Sequence, residues 1–339
     1  MWRVQIRSRS PVASIVAISS VLALFGALFF WFPYSFGYGD RRVSLAEMVY
    51  GLWSEYGDWE HGMLVLPIVA FLVWRKRREL AELKVQGSYW GLGMVLFSFL
   101  LYWAGFRADV QYVGFISAQL LVAGLVLWLL GKAHMRILFF PWLFLGFMWP
   151  FVFLDTQIAF PLRMIMAEVS HRFLNLIGLE TLRVGSAIVS APDVAAGLAQ
   201  GERFEVDIAD PCSGIRSLFA LTMVAALYGY LTLKKGWQVA FLIVAAFPLA
   251  ILGNFVRIMM LTFGVLAFGA DFSIGTIDHP SGYHMFSGFA VFAVALLGML
   301  GVAKLLRAIP VWWEGRSPEV TQAAKPIQSA KKDETSFEY

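Results

Sequence analysis

The chain has 339 residues, 59% of them hydrophobic and 16% aromatic against only 15% charged, and its mean hydropathy is positive, which excludes an ordinary soluble domain and indicates a polytopic helical membrane protein. The net charge of +4 is small, and its basic residues sit where membrane insertion requires them, so nucleic acid is not an expected partner. A single cysteine excludes an internal disulfide and any Cys-x-x-Cys metal or redox site.

In chain order, Arg3, Arg7 and Arg9 precede an apolar run from Val12 to about Phe32. It is long enough to span and lacks a small-residue cleavage site, so it reads as an uncleaved first span with a cytoplasmic N-terminus. A polar loop carrying Asp40, Arg41, Arg42, Glu47, Glu55, Asp58 and Glu60 follows. The short apolar run Met63 to Trp74 is kept as a second span because Arg75-Lys76-Arg77-Arg78 closes it with a cytoplasmic stop. A third span runs from about Tyr89 to Phe106 and a fourth from about Tyr112 to Leu130, joined by a loop with Arg107 and Asp109. After Lys132, His134 and Arg136 a fifth span is expected over Ile137 to Leu154. In Ala159 to Leu179, Arg163, Glu168, His171, Arg172 and Asn175 interrupt the apolar pattern, which suits an amphipathic helix lying at the interface. Thr181 to Asp210, with Phe204, Val206 and Ile208 alternating with Glu205 and Asp207, reads as a small outward-facing β-hairpin. A sixth span, Cys212 to Leu233, ends at Lys234-Lys235, and a seventh runs from Trp237 to Arg257. The apolar continuation Ile258 to Phe268 is expected to be a surface or re-entrant segment, and an eighth span covers His284 to about Leu306.

The expected fold is therefore all-α, with about eight transmembrane helices and both termini cytoplasmic. Residues 1–311 form the membrane-embedded unit, residues 155–211 its extracytoplasmic helix and hairpin, and residues 312–339 a polar tail expected to be disordered. This topology puts the basic clusters at 75–78, 132–136, 234–235 and 304–307 on the cytoplasmic side. By the same count Cys212, Asn254, Arg257 and His284 meet the outer face.

Asp210 is a good N-cap and Pro211 suits the first helical position, so Cys212 is expected within a first helical turn, where the helix dipole favours a thiolate. A cysteine that attacks an amide carbonyl needs a proton acceptor, a donor to the leaving amine and a positive group for the oxyanion. His284 supplies the first two and Arg257 the third. Asn254, one turn before Arg257, could orient it, and Gly288 removes a side chain four residues after His284. Arg216, one turn after Cys212, is either a thiolate stabiliser or an internal partner of Asp210. His279 is a rival base in an irregular loop, His61 a structural or substrate-contacting residue, and His134 and His171 interface residues. The opposite readings are a buried apolar cysteine, an interfacial histidine and a snorkelling arginine. No ligand pair has zinc spacing, and neither a metal nor a cofactor is expected.

The run Cys212-Ser213-Gly214-Ile215-Arg216-Ser217-Leu218, then Asn254-x-x-Arg257, then His284-x-x-x-Gly288, resembles the exosortase branch of the exosortase and archaeosortase family. Weaker likeness extends to Glu60-His61-Gly62-Met63-Leu64, to Trp74-Arg75-Lys76-Arg77 and to the Pro161 to Val184 region, covering roughly residues 55 to 305. Pro211 stands where alanine is commoner in the family. The resemblance implies a multi-pass membrane cysteine protease-transpeptidase with Cys212, Arg257 and His284 as its catalytic set. Its implied partners are exported proteins with a C-terminal sorting signal, made of a Pro-Glu-Pro-like motif, a transmembrane helix and a basic end, in bacteria that make exopolysaccharide. The cut protein would pass to an unidentified acceptor, for which a lipid- or glycan-linked group is one option. It also implies the inner membrane as location, with the active site facing outward, among membrane lipid. Gly214, Gly253 and Gly288 would let a substrate helix dock laterally. A transporter, a polysaccharide-assembly scaffold and a lipid-linked glycan transferase remain the competing readings.

Overall fold

The computed structural model describes residues 11–36, 40–54, 59–151, 153, 157–158, 160–207, 215–276, 279 and 281–314. Helix α1, Pro11–Gly26, closes in a π turn at Ala27–Trp31. The stretch expected as a polar loop contains a helix, α2, Leu45–Ser54. Its buried Leu45, Met48, Val49 and Leu52 repeat at helical spacing and enter a core with Phe29, Tyr34, Tyr102 and Phe115. Helix α3, His61–Arg75, is followed by the short α4, Arg77–Ala81.

Helices α5, Tyr89–Ala108, and α6, Gln111–Leu129, form a tight antiparallel pair. Gly91 permits it, since a Cβ there would lie 2.1 Å from the backbone nitrogen of Trp128. Helix α7, Lys132–Leu145, begins before the expected fifth span and ends well short of Leu154, in a 3-10 turn at Gly146–Met148. Pro150 explains the stop, because the residue before a proline is pushed out of the helical region and Trp149 is extended. His134, expected at an interface, is buried in α7.

Helix α8, Phe160–Leu176, buries Met166, Ala167, Ser170 and Leu174 and displays Glu168 and Arg172 as an i,i+4 pair. The next segment holds three strands rather than the two of a hairpin: β1, Thr181–Val184, β2, Ala187–Ser190, and β3, Glu205–Asp207. They form an antiparallel sheet in the order β1-β2-β3, and Gly185 takes a φ of 63° in the tight β1–β2 turn.

Helices α9, Ile215–Thr232, α10, Gly236–Phe268, and α12, Gly282–Glu314, pack around Leu218, Leu221, Ala225, Leu242, Ala246 and Met299, with the short α11, Ala270–Ser273, before α12. Helix α12 continues into the first residues of the expected tail, while residues 315–339 lie outside the described ones. Expected to stop at Arg257, α10 runs on unbroken, so Ile258 to Phe268 is neither a surface nor a re-entrant segment. Its last three turns persist because Ile258, Met259, Leu261 and Val265 are buried against Met166, Leu174, Ile188, Phe204 and Val206 of α8 and the sheet. Among the described residues, α5, α6, α10 and Gly282–Ile309 of α12 are long and apolar enough to cross a membrane, and Ser19–Trp31, α3 and Leu218–Thr232 are shorter apolar helices. The chain is thus a multi-pass helical membrane protein.

Candidate functional site

Arg257 and His284 come together. Arg257 Nη2 lies 2.9 Å from His284 Nε2, although the two residues belong to helices separated by a loop and α11. The antiparallel packing of α10 on α12 sets this contact at several levels. A Cβ on Gly253 would lie 2.9 Å from Val291 Cγ1, and one on Gly288 would lie 3.8 Å from Arg257 Nη2. Beyond them the Tyr283 hydroxyl donates to the Met260 carbonyl at 3.0 Å, and Gly264 makes room for the Tyr283 ring. Gly253 is therefore occupied by α12 of the same chain, which removes it from the set of small residues expected to receive a substrate helix.

The depth of the pair follows from helix geometry. At 1.5 Å per residue, Arg257 stands about 32 Å along α10 from Gly236, and His284 about 33 Å along α12 from Leu306. Gly236 and Leu306 are themselves neighbours, since buried Gln238 donates to the Leu306 carbonyl at 2.7 Å. Lys234, Lys235, Lys304 and Arg307 thus mark one end of the bundle, and the Arg257–His284 pair lies one hydrocarbon thickness away from it.

Three neighbours of this pair were missed in the sequence. Ser281 Oγ accepts from the His284 backbone N–H at 3.0 Å, an N-cap that starts α12 before the expected His284. Its signal was a serine three residues ahead of the histidine, beside Pro280. The Ser287 hydroxyl donates to the His284 carbonyl at 2.7 Å, and Tyr283 ties the two helices together. Nδ1 of His284 is buried with no hydrogen-bond partner among the described residues.

Of the remaining expected residues, Asn254 is buried one turn before Arg257, with Nδ2 lacking a partner among the described residues. Asp210 and Cys212, with Gly214, lie outside the described residues, as does the side chain of Arg216, whose backbone belongs to the first turn of α9. His279 is exposed, and its backbone N–H donates to Thr276 Oγ1 at 3.1 Å. His171 joins α8 to the sheet through Thr181 Oγ1 at 2.9 Å. His61 opens α3 and stacks on Phe219 of α9, with ring centroids 6.0 Å apart. Beside it lies a cavity of about 360 Å³ between α3, α7 and α9, lined among others by Trp59, Phe144, Trp149 and Ile243.

Chemically, the pair combines a permanent cation with an imidazole, both half-buried at one level of the bundle. Such an arrangement can carry a proton at the histidine and hold an oxyanion or carboxylate at the arginine. The family model for transmembrane exosortases matches residues 53–301, close to the 55 to 305 over which the motifs resemble that family. No curated protein and no solved structure matches the chain.

Proposed function

The chain belongs to the transmembrane exosortase family, and from that premise we propose that it is a membrane cysteine peptidase-transpeptidase acting on C-terminal sorting signals of exported proteins. In this reading Cys212 is the nucleophile, His284 takes its proton and later returns it to the leaving amine, and Arg257 stabilises the tetrahedral oxyanion. The observation that carries the proposal is the 2.9 Å contact between Arg257 and His284, one hydrocarbon thickness from the basic end.

Covalent geometry supports bringing the cysteine to this pair. Gly229 of α9 faces Val239 and Leu242 of α10, so equal rise along two antiparallel helices sets Ile215 level with residues 253–256. Cys212 is three residues earlier, and its Cα is thus at most about 11 Å from that of Ile215. The basic end is assigned to the cytoplasm by the positive-inside rule, which turns the pair outward at the inner membrane. There a substrate whose own helix stops at a basic cluster presents its motif at the same depth.

The test is a co-expressed reporter protein ending in a motif, an apolar helix and a basic cluster, followed by gel mobility. Cys212→Ala and Cys212→Ser are each expected to leave the reporter at full length. Processing at the wild-type rate by either variant defeats the proposal.

A further inference from the structure

Resting on those roles, we infer that Arg257 holds His284 in a form unable to act as a base, and that the substrate carbonyl releases it by drawing the guanidinium away. A guanidinium has only donors and keeps its charge in proteins. Its Nη2 is 2.9 Å from His284 Nε2, so Nε2 is the accepting, unprotonated nitrogen and the ring proton sits on Nδ1. Neither nitrogen can then take a thiol proton. Nδ1 already carries one, and the Nε2 lone pair is engaged by Arg257.

The surroundings favour movement of the arginine over movement of the histidine. Ser281 and Ser287 fix the His284 backbone from both sides. Next to the guanidinium, α12 presents Gly288, where even a Cβ would leave 3.8 Å. On this side of the guanidinium α12 therefore offers no side chain at position 288 to hold it against His284.

The sequence of events balances as follows. The guanidinium moves onto the oxygen of the scissile carbonyl and frees the Nε2 lone pair. The Sγ–H bond of Cys212 breaks, Nε2–H forms, and the sulfur electron pair attacks the carbonyl carbon while the C=O π pair moves onto the oxygen beside Arg257. Collapse of this intermediate breaks the C–N bond, and the departing amine takes the Nε2 proton. Nε2 is again free to accept from Arg257. The hand-over also keeps the guanidinium and the imidazolium from facing one another while both are charged.

Because Cys212 is the sole cysteine, its alkylation by iodoacetamide in the full chain, held in lipid nanodiscs without substrate, reads the resting thiol by mass spectrometry. Alkylation is expected to be slow in the wild type and in Arg257→Lys, which keeps a donor, and faster by about tenfold or more in Arg257→Ala. If Arg257 instead serves chiefly as a counter-charge for a resting thiolate, Arg257→Ala slows alkylation and the hand-over is overturned. A second readout covers the case of a misfolded variant. The ¹⁵N spectrum of the wild-type resting chain, with His284 assigned through His284→Asn, is expected to show Nδ1–H and a bare Nε2, and an Nε2–H tautomer or imidazolium at neutral pH overturns it. Reporter processing separates the two levels: normal processing by Cys212→Ala removes the underlying function. Lost processing with no alkylation gain in Arg257→Ala removes the hand-over alone.

Discussion

Gly253→Ala tests whether the packing of α10 on α12 sets the Arg257–His284 contact. The added Cβ would sit 2.9 Å from Val291 Cγ1 and 3.6 Å from the Val291 carbonyl oxygen, so Val291 must turn or α12 must retreat. Overpacking of this kind costs about 1–3 kcal/mol, while alanine gains up to about 1 kcal/mol over glycine within a helix. The net expectation is a loss of about 0–3 kcal/mol. Gly288→Ala supplies the control, since its Cβ would meet the guanidinium at an ordinary 3.8–3.9 Å. Only the helix term acts there, and stability should hold or rise by up to about 1 kcal/mol. Because Gly253 lies one turn from Arg257 and Val291 two turns from His284, a retreat of α12 lengthens the 2.9 Å contact and weakens it. Thermal unfolding of the detergent-solubilised chain gives the stability order, and reporter processing gives the effect on the pair. If Gly253→Ala proves as stable as Gly288→Ala and processes at the wild-type rate, the helix contact does not govern the site.

Tyr102→Phe removes a 2.6 Å hydrogen bond to the Leu28 carbonyl and should cost about 0.5–1.5 kcal/mol; an unchanged unfolding midpoint would remove this link between α5 and α1. Leu221→Ala, at a fully buried position between α9 and α10, should cost about 2–5 kcal/mol, whereas Leu297→Ala, at a position 66% exposed, should cost far less; equal losses would contradict the helix arrangement. The hydrogen bond from Arg172, with the charges of Arg172 and Arg183, holds the Glu168 carboxyl below its ordinary range. A depressed carboxylate stabilises the fold at neutral pH and loses that contribution as pH falls through its folded value. Protease cleavage within residues 181–207 should therefore rise in acid below the usual carboxylate range, and Glu168→Gln should be as sensitive at pH 7 as the wild type is in acid; a Glu168→Gln chain that stays resistant at pH 7 refutes the role of this pair.

The legible parts of the sequence were those governed by one-dimensional rules. Basic clusters and run lengths located α3, α5, α6 and α9, and the spacing of Arg257 from Lys235 and of His284 from Arg307 carried the depth of the pair. The errors arose where a second element decides the outcome. Arg257 resembled a helix end because one hydrocarbon thickness had been crossed, yet α10 continues because α8 and the sheet cover Ile258, Leu261 and Val265. The apolar spacing of α2 was present in Leu45, Met48, Val49 and Leu52 but lay among the charges of an apparent loop, and its partners Tyr102 and Phe115 are remote in sequence.

The continuation of α10 past Arg257 also bears on how the site is built. Had α10 ended at Arg257, the guanidinium would sit at a frayed terminus, free to turn toward water. With three further turns anchored on α8 and the sheet, the backbone at Arg257 is fixed on both sides, and only the side chain can move. His284 is fixed in the same manner by the Ser281 cap and the α12 turn beyond it. Helix rise alone brings the two residues to one depth from a shared basic end. Their lateral contact depends on Gly253 and Gly264, which let α10 and α12 approach, so substitutions there should disturb the pair without touching either member.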